Sequence, residues 1–177
     1  NPAEFYMPAT DAATGRAAYF SKYDIVRDDY RAVMASCALP GFCRPVKVGD
    51  RYYYDGGVAD SIPLHHAIEH GCTKMVVILS NPRDFVKKPE AHRPLYKHML
   101  HKYPKTIQSI DNRHINYQAS IDLACRLEKE GYVFIFAPSR HMPLSTFSKD
   151  AALEQDLYDL GVADYEARAE ELKHFLN

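Results

Sequence analysis

Asp55, Gly56 and Gly57 stand together in "YYYDGGVADSIPL", residues 52–64. A carboxylate followed by two glycines has two uses. As a turn it is ordinary, because Asp-Gly is a common turn dipeptide and glycine permits positive φ. As a site it would present an acid at the end of an aromatic strand, where ligands gather in α/β sheets. The glycines would then let a second backbone or a substrate come close. Both readings stand on the tripeptide alone.

Histidines and cysteines offer the other candidate chemistry. His65, His66 and His70 fall on one helical stretch, and His66 and His70 have the i, i+4 spacing of a metal pair. His98 and His101 form a second near-pair. No carboxylate or cysteine completes a known ligand spacing, so solvated helix-face histidines are expected and no metal or cofactor is assigned. Cys37, Cys43, Cys72 and Cys125 include no CxxC pair, which fits free thiols in a reducing, cytoplasmic setting.

The elements that must hold these residues alternate between strand and helix. Ala17–Phe20 reads as a short strand after a turn at Thr14-Gly15. Asp28 and Asp29 open a helix that carries Tyr30, Val33, Met34 and Cys37 and ends at Pro40-Gly41. Val46–Val48 and Tyr52–Tyr54 read as hairpin arms about Gly49-Asp50, with the tyrosines packing in the strand. "SIPLHHAIEHG" is a short helix capped by Ser61 and closed by Gly71. "TKMVVILS" reads as a strand buried on both faces, and "YVFIFAP" as another. Residues 93–117 are basic and mostly helical, residues 123–129 complete a second helix, and residues 150–175 are helical with a break at Gly161. The expected class is α/β, with a mostly parallel sheet flanked by helices.

Composition narrows the function. The 177 residues suit one domain and are 46% hydrophobic and 25% charged, ordinary globular values. A net charge of −1 argues against nucleic-acid binding, which needs a basic face. The longest apolar run, Met75–Leu79, is strand-sized and far short of a membrane span. The basic stretch Arg93, Lys97, His98, His101, Lys102 and Lys105 reads as a solvated face or a lid, with peripheral contact to an anionic lipid surface as its second use.

Several of these segments together resemble the patatin-like phospholipases, a family of serine acyl hydrolases. "ATDAATGRAAYF" is similar to the family's strand–turn–strand, "RAVMASCALPGFCRPV" to its small-residue helix and Pro loop, and "GDRYYYDGGVADSIPL" to its Asp-Gly-Gly block. "GCTKMVVILSNP" resembles the strand that follows, and "YDLGVADYEARAEEL" a bacterial branch of predicted phospholipases or esterases. The resemblance covers nearly the whole chain. It implies a Ser–Asp dyad without histidine, with Asp55 as the general base and Gly56 and Gly57 shaping its loop. It also implies a lipid or other acyl-ester substrate and no cofactor.

The family's nucleophile sits in Gly-x-Ser-x-Gly. Ser36, Ser61, Ser80 and Ser139 all lack that setting. The chain starts at Asn1 without an initiator Met. The expectation is therefore that residues 1–177 are the C-terminal portion of a single hydrolase domain, with a helical extension from about residue 139. The sheet would then lack its N-terminal strands, the fragment would self-associate as a homo-oligomer, and catalysis would need an upstream serine. The alternative is a non-catalytic binding or interaction domain that keeps the hydrolase scaffold.

Overall fold

The computed structural model describes residues 2–143 and 149–177. It divides into two compact units, Asn1–Pro63 with Lys87–Ser120, and Leu64–Val86 with Ile121–Asn177.

The first unit is built on a four-stranded sheet of β1 (Tyr6–Asp11), β2 (Ala17–Ser21), β3 (Val46–Val48) and β4 (Arg51–Asp55). The strand order is β2-β1-β4-β3, and every pairing is antiparallel. A mostly parallel sheet was expected, and these strands do not form one. The reason lies in the connections. Parallel neighbours need a crossover of a dozen or more residues, whereas tight turns join β1 to β2 and β3 to β4. Gly49, at φ +59, makes the second turn, as its place between the two arms predicted.

Successive residues of β4 point to opposite faces of the sheet. Tyr53 joins Met7, Ala9, Phe20, Ala32 and Ala35 on one side. Its ring meets Phe20 edge-on at a centroid distance of 5.0 Å. Tyr54 joins Ala12, Val58, Leu100, Ile107 and Ile110 on the other. Tyr53 and Tyr54 therefore pack as expected, whereas Tyr52, expected to pack with them, is exposed.

Asp11 organises the β1–β2 turn. Its Oδ1 accepts hydrogen bonds from Ala13 N, Thr14 N and Thr14 Oγ1, and Arg51 Nη1 donates to its Oδ2 at 3.0 Å. Burial alone would raise this carboxyl. The Thr14 and Arg51 hydrogen bonds outweigh it and leave the group below the usual carboxylate range. A depressed folded-state value stabilises the protein above the unfolded value, and that stability is lost as pH falls through the folded one. Acid unfolding should therefore steepen below about pH 4. Asp11→Asn should flatten that part of a Tm-against-pH curve, and identical curves would show that Asp11 is not the titrating group.

Helix α1 (Arg31–Ser36) buries only Ala32 and Ala35, small side chains that let it lie close on the sheet. It is shorter than expected because Asp28 adopts φ +65, which no helix accommodates. Helix α3 (Arg93–Met99) precedes α4 (Pro104–Lys129), whose residues up to Ser120 belong to this unit. Helices were expected over 93–117 and 123–129; the break falls instead between Met99 and Pro104, and 104–129 is one helix. Residues 105–129 contain no proline or glycine to interrupt it. Near its start, Thr106 Oγ1 donates to Ala12 O and Ser109 Oγ to Gly15 O, which ties α4 to the β1–β2 turn.

The second unit contains α2 (Leu64–Glu69), β5 (Met75–Ile78), β6 (Val133–Phe136), the end of α4 and α5 (Ala151–Leu176). Here β5 and β6 are parallel, and the stretch between them holds the long crossover that parallel pairing requires. β5 was expected to be buried on both faces. Met75 and Val77 are buried, but Val76 and Ile78 are exposed, Ile78 to 80%. Ile135 N donates to Glu128, and Arg83 and Arg168 both donate to Ile135 O. These side chains occupy backbone groups of β6 that the ladder leaves unpaired. The Arg168 guanidinium lies 4.3 Å from the Phe134 ring centroid.

Helix α5 runs through Gly161 without the expected break, since one glycine costs a helix only about 1 kcal/mol. Asp150 caps it by accepting from Ala152 N and Leu153 N. The extension expected from about residue 139 includes residues 144–148, which lie outside the described residues.

Candidate functional site

Asp55 is the last residue of β4, and its chain turns at once into a single 3-10 turn, Gly56–Val58. The strand end is fixed from several directions. Asp55 lies opposite Ala9 of β1. Its N–H donates to Ala38 O at 2.8 Å, and its carbonyl accepts from Thr10 Oγ1 at 2.7 Å. Thr10 is fully buried, and its hydroxyl also accepts from Ala59 N, so one side chain ties both ends of the turn.

The Asp55 carboxylate caps that turn. Oδ1 accepts from Gly57 N at 2.8 Å. Among the described residues Oδ2 has no hydrogen bond. The residue is half-buried. Asp55 is therefore a turn residue whose second carboxylate oxygen the turn does not use.

Gly56 is required by a close crossing. A Cβ there would sit 2.2 Å from Pro8 O and 2.4 Å from Pro8 C, atoms of the β1 backbone. Pro8 O also accepts from Ser36 Oγ at 2.7 Å, so the end of α1 closes on the same point. Gly57 meets softer neighbours. A Cβ there would lie 3.0 Å from Asp55 Oδ1 and 3.2 Å from Arg113 Nη2, both side-chain atoms.

Arg113 of α4 clamps the loop. Its Nε donates to Gly57 O at 2.6 Å, and its Nη1 pairs with Glu90 Oε1 at 3.0 Å. Ser61 Oγ donates to the same Gly57 carbonyl at 2.7 Å. Ser61 therefore holds the site loop instead of capping α2 as expected. The sequence pointed to none of Thr10, Ala38, Glu90 or Arg113. Arg113 reaches Gly57 across 56 positions of sequence, and no spacing encodes such a contact.

The other candidates lie elsewhere. The His66 and His70 rings lie 4.0 Å apart, His66 on α2 and His70 in the turn just past its end, and His70 Nδ1 is bonded to His66 O. The His98 and His101 rings are 6.5 Å apart. Among the described residues no three His, Cys, Asp or Glu side chains converge as metal ligands, and the four cysteines are free thiols. No described helix is long and apolar enough to cross a membrane.

Comparison with known families divides the chain differently from the nearly complete resemblance that its segments suggested. Residues 10–68 match the family described as patatin-like phospholipase, a span that contains β2, α1, β3, β4 and the whole Asp55–Gly57 turn. Residues 103–177 match a domain of unknown function, DUF6363, which takes in α4, β6 and α5.

Proposed function

Starting from a chain whose residues 10–68 are patatin-like, we propose a serine acyl hydrolase that cleaves lipid or other acyl esters with a Ser–Asp dyad. Asp55 is its general base. The observation that carries this reading is the Asp55 carboxylate itself, fixed by Gly57 N on one oxygen and open on the other. A serine hydroxyl is a poor nucleophile until a base takes its proton as the bond forms. A positioned base contributes about 10²–10⁴-fold.

In this mechanism the serine Oγ attacks the ester carbonyl carbon while its proton passes to Asp55. The proton then goes to the departing alcohol oxygen as the acyl–oxygen bond breaks. Asp55 next takes a proton from water, the water attacks the acyl-enzyme, and the fatty acid leaves as the serine recovers its proton. Gly56 and Gly57 hold the carboxylate in place and add no bulk beside it.

The nucleophile is assigned to sequence N-terminal to Asn1, together with the oxyanion loop. No serine in the 177 residues lies in Gly-x-Ser-x-Gly. The two serine hydroxyls beside the loop are committed, Ser36 to Pro8 O and Ser61 to Gly57 O. On this reading residues 1–177 form the C-terminal portion of the hydrolase domain. The exposed Val76 and Ile78 of β5 favour self-association of the isolated piece.

The test compares two proteins on p-nitrophenyl butyrate. The longer polypeptide should turn it over, and the 177-residue chain should stay at the buffer rate. Turnover by the 177-residue chain that Asp55→Ala abolishes would place the nucleophile inside it and sink the upstream assignment. A longer reading frame without Gly-x-Ser-x-Gly would leave a non-catalytic binding domain on this scaffold.

A further inference from the structure

The loop that begins at the site ends on an exposed apolar point. Ala38 O accepts from Asp55 N, and the chain then turns through Leu39, whose carbonyl accepts from Phe42 N and Cys43 N. Phe42 stands at the tip and is 73% exposed. The loop runs beside α3, since a Cβ on Gly41 would lie 4.0 Å from Met99 Sδ.

Helix α3 turns apolar side chains outward on that same flank. At about 100° per residue, Leu95 and Met99 share one side, while Tyr96 and the buried Leu100 point inward. Leu95 is 61% exposed and Met99 49%. Two exposed cations lie close to them along the chain, Arg44 just beyond the loop tip and Lys102 in the turn after α3, while Lys97 falls on the opposite side of the helix, towards Asp111. Among the described residues neither Arg44 nor Lys102 is in an ion pair. The acid nearest this helix by contact, Asp111, is neutralised by Arg93 at 2.7 Å.

We propose that α3 and the Pro40–Phe42 loop dock the protein on a membrane surface containing anionic phospholipid. Phe42, Leu95 and Met99 enter the headgroup boundary, and Arg44 and Lys102 meet lipid phosphates beside them. Exposed apolar anchors flanked by basic side chains with long stems are the composition that binds such interfaces. Each cation near an anionic surface contributes about a fivefold gain in partition. A neutral protein or a nucleic acid would leave one half of this composition unused. Docking here would also bring the lipid surface to the loop whose first hydrogen bond fixes Asp55. The biological sense of this proposal rests on the lipid-ester reading, but its test does not require turnover.

The experiment is co-sedimentation of the chain with large unilamellar vesicles, one set of phosphatidylcholine and one of phosphatidylcholine with phosphatidylglycerol. Binding should favour the phosphatidylglycerol vesicles and weaken as salt screens the charges. The pair Arg44→Glu and Lys102→Glu should lower that partition by at least about tenfold. The pair Phe42→Ser and Met99→Ser should lower it by a similar factor and leave the salt dependence in place. All four positions are exposed, and unchanged far-UV circular dichroism verifies the fold. Equal binding to both vesicle types, no binding, or full binding by the charge-reversed protein would overturn the proposal. Asp55→Asn separates it from the hydrolase reading, because that variant should bind vesicles like the parent. Vesicle binding without esterase activity in the longer polypeptide would sink only the hydrolase. Activity on a soluble ester without vesicle binding would sink only the docking face.

Discussion

Asp55→Asn in the longer polypeptide should lower kcat/KM by about 10²-fold or more and leave Tm almost unchanged. The two halves of this expectation have separate causes. Asparagine keeps a side-chain oxygen where Asp55 Oδ1 accepts from Gly57 N, and it caps turns about as well as aspartate. The β4 end would also keep its backbone bonds to Ala38 and Thr10, which do not involve the carboxylate. What is lost is the ability to hold a proton. Asp55→Ala is the useful contrast, because it removes base and cap together. It should cost about 1 kcal/mol of stability in addition to the activity. Retained activity in Asp55→Asn would remove Asp55 from the mechanism. A fall in Tm together with activity would make its role structural. Both quantities must come from one preparation.

Gly56→Ala should be the most destabilising single-methyl change in the first unit. The added carbon would lie 2.2 Å from Pro8 O, where real contacts essentially never occur. No rotamer relieves this, because the obstacle is backbone. Pro8 is held in register against Tyr19 of β2, and Ser36 Oγ donates to its carbonyl. Overpacking of this kind costs about 3 kcal/mol or more. For a protein of this size that is a fall in Tm on the order of 10 °C. Gly57→Ala is the control one residue on. Its methyl would face the ends of Asp55 and Arg113, which can move by tenths of an ångström, so Tm should change much less. The carboxylate would shift with it, and activity should fall more than stability does. Gly56→Ala with a near-normal Tm would mean that the turn does not cross β1 this closely.

The sequence by itself determined most of the strands and the turn that follows Tyr54. An aromatic run followed by Asp-Gly-Gly determined a strand that ends in a turn, because tyrosines pack on a pleated surface and glycines accept what other residues cannot. The Gly49 turn between Val46–Val48 and the tyrosine strand was legible for the same reason.

Tertiary structure alone decided the rest. Strand direction in the four-stranded sheet follows from which strands become neighbours, and residue pattern records only that a strand exists. The apolar run of β5 reads as two-sided burial, yet Ile78 is exposed, because coverage depends on the layers that pack there. Gly161 sits inside an unbroken helix, since the hydrogen-bonded turns on either side outweigh one weak position. Most of the candidate site is of this kind. Thr10, Ala38 and Arg113 meet the Asp55–Gly57 turn through side-chain and backbone bonds that span long stretches of chain. No periodicity carries such contacts. They form only when β1 pairs with β4 and α4 packs onto the β1–β2 turn, and that packing turns a common turn dipeptide into a fixed carboxylate with one oxygen open.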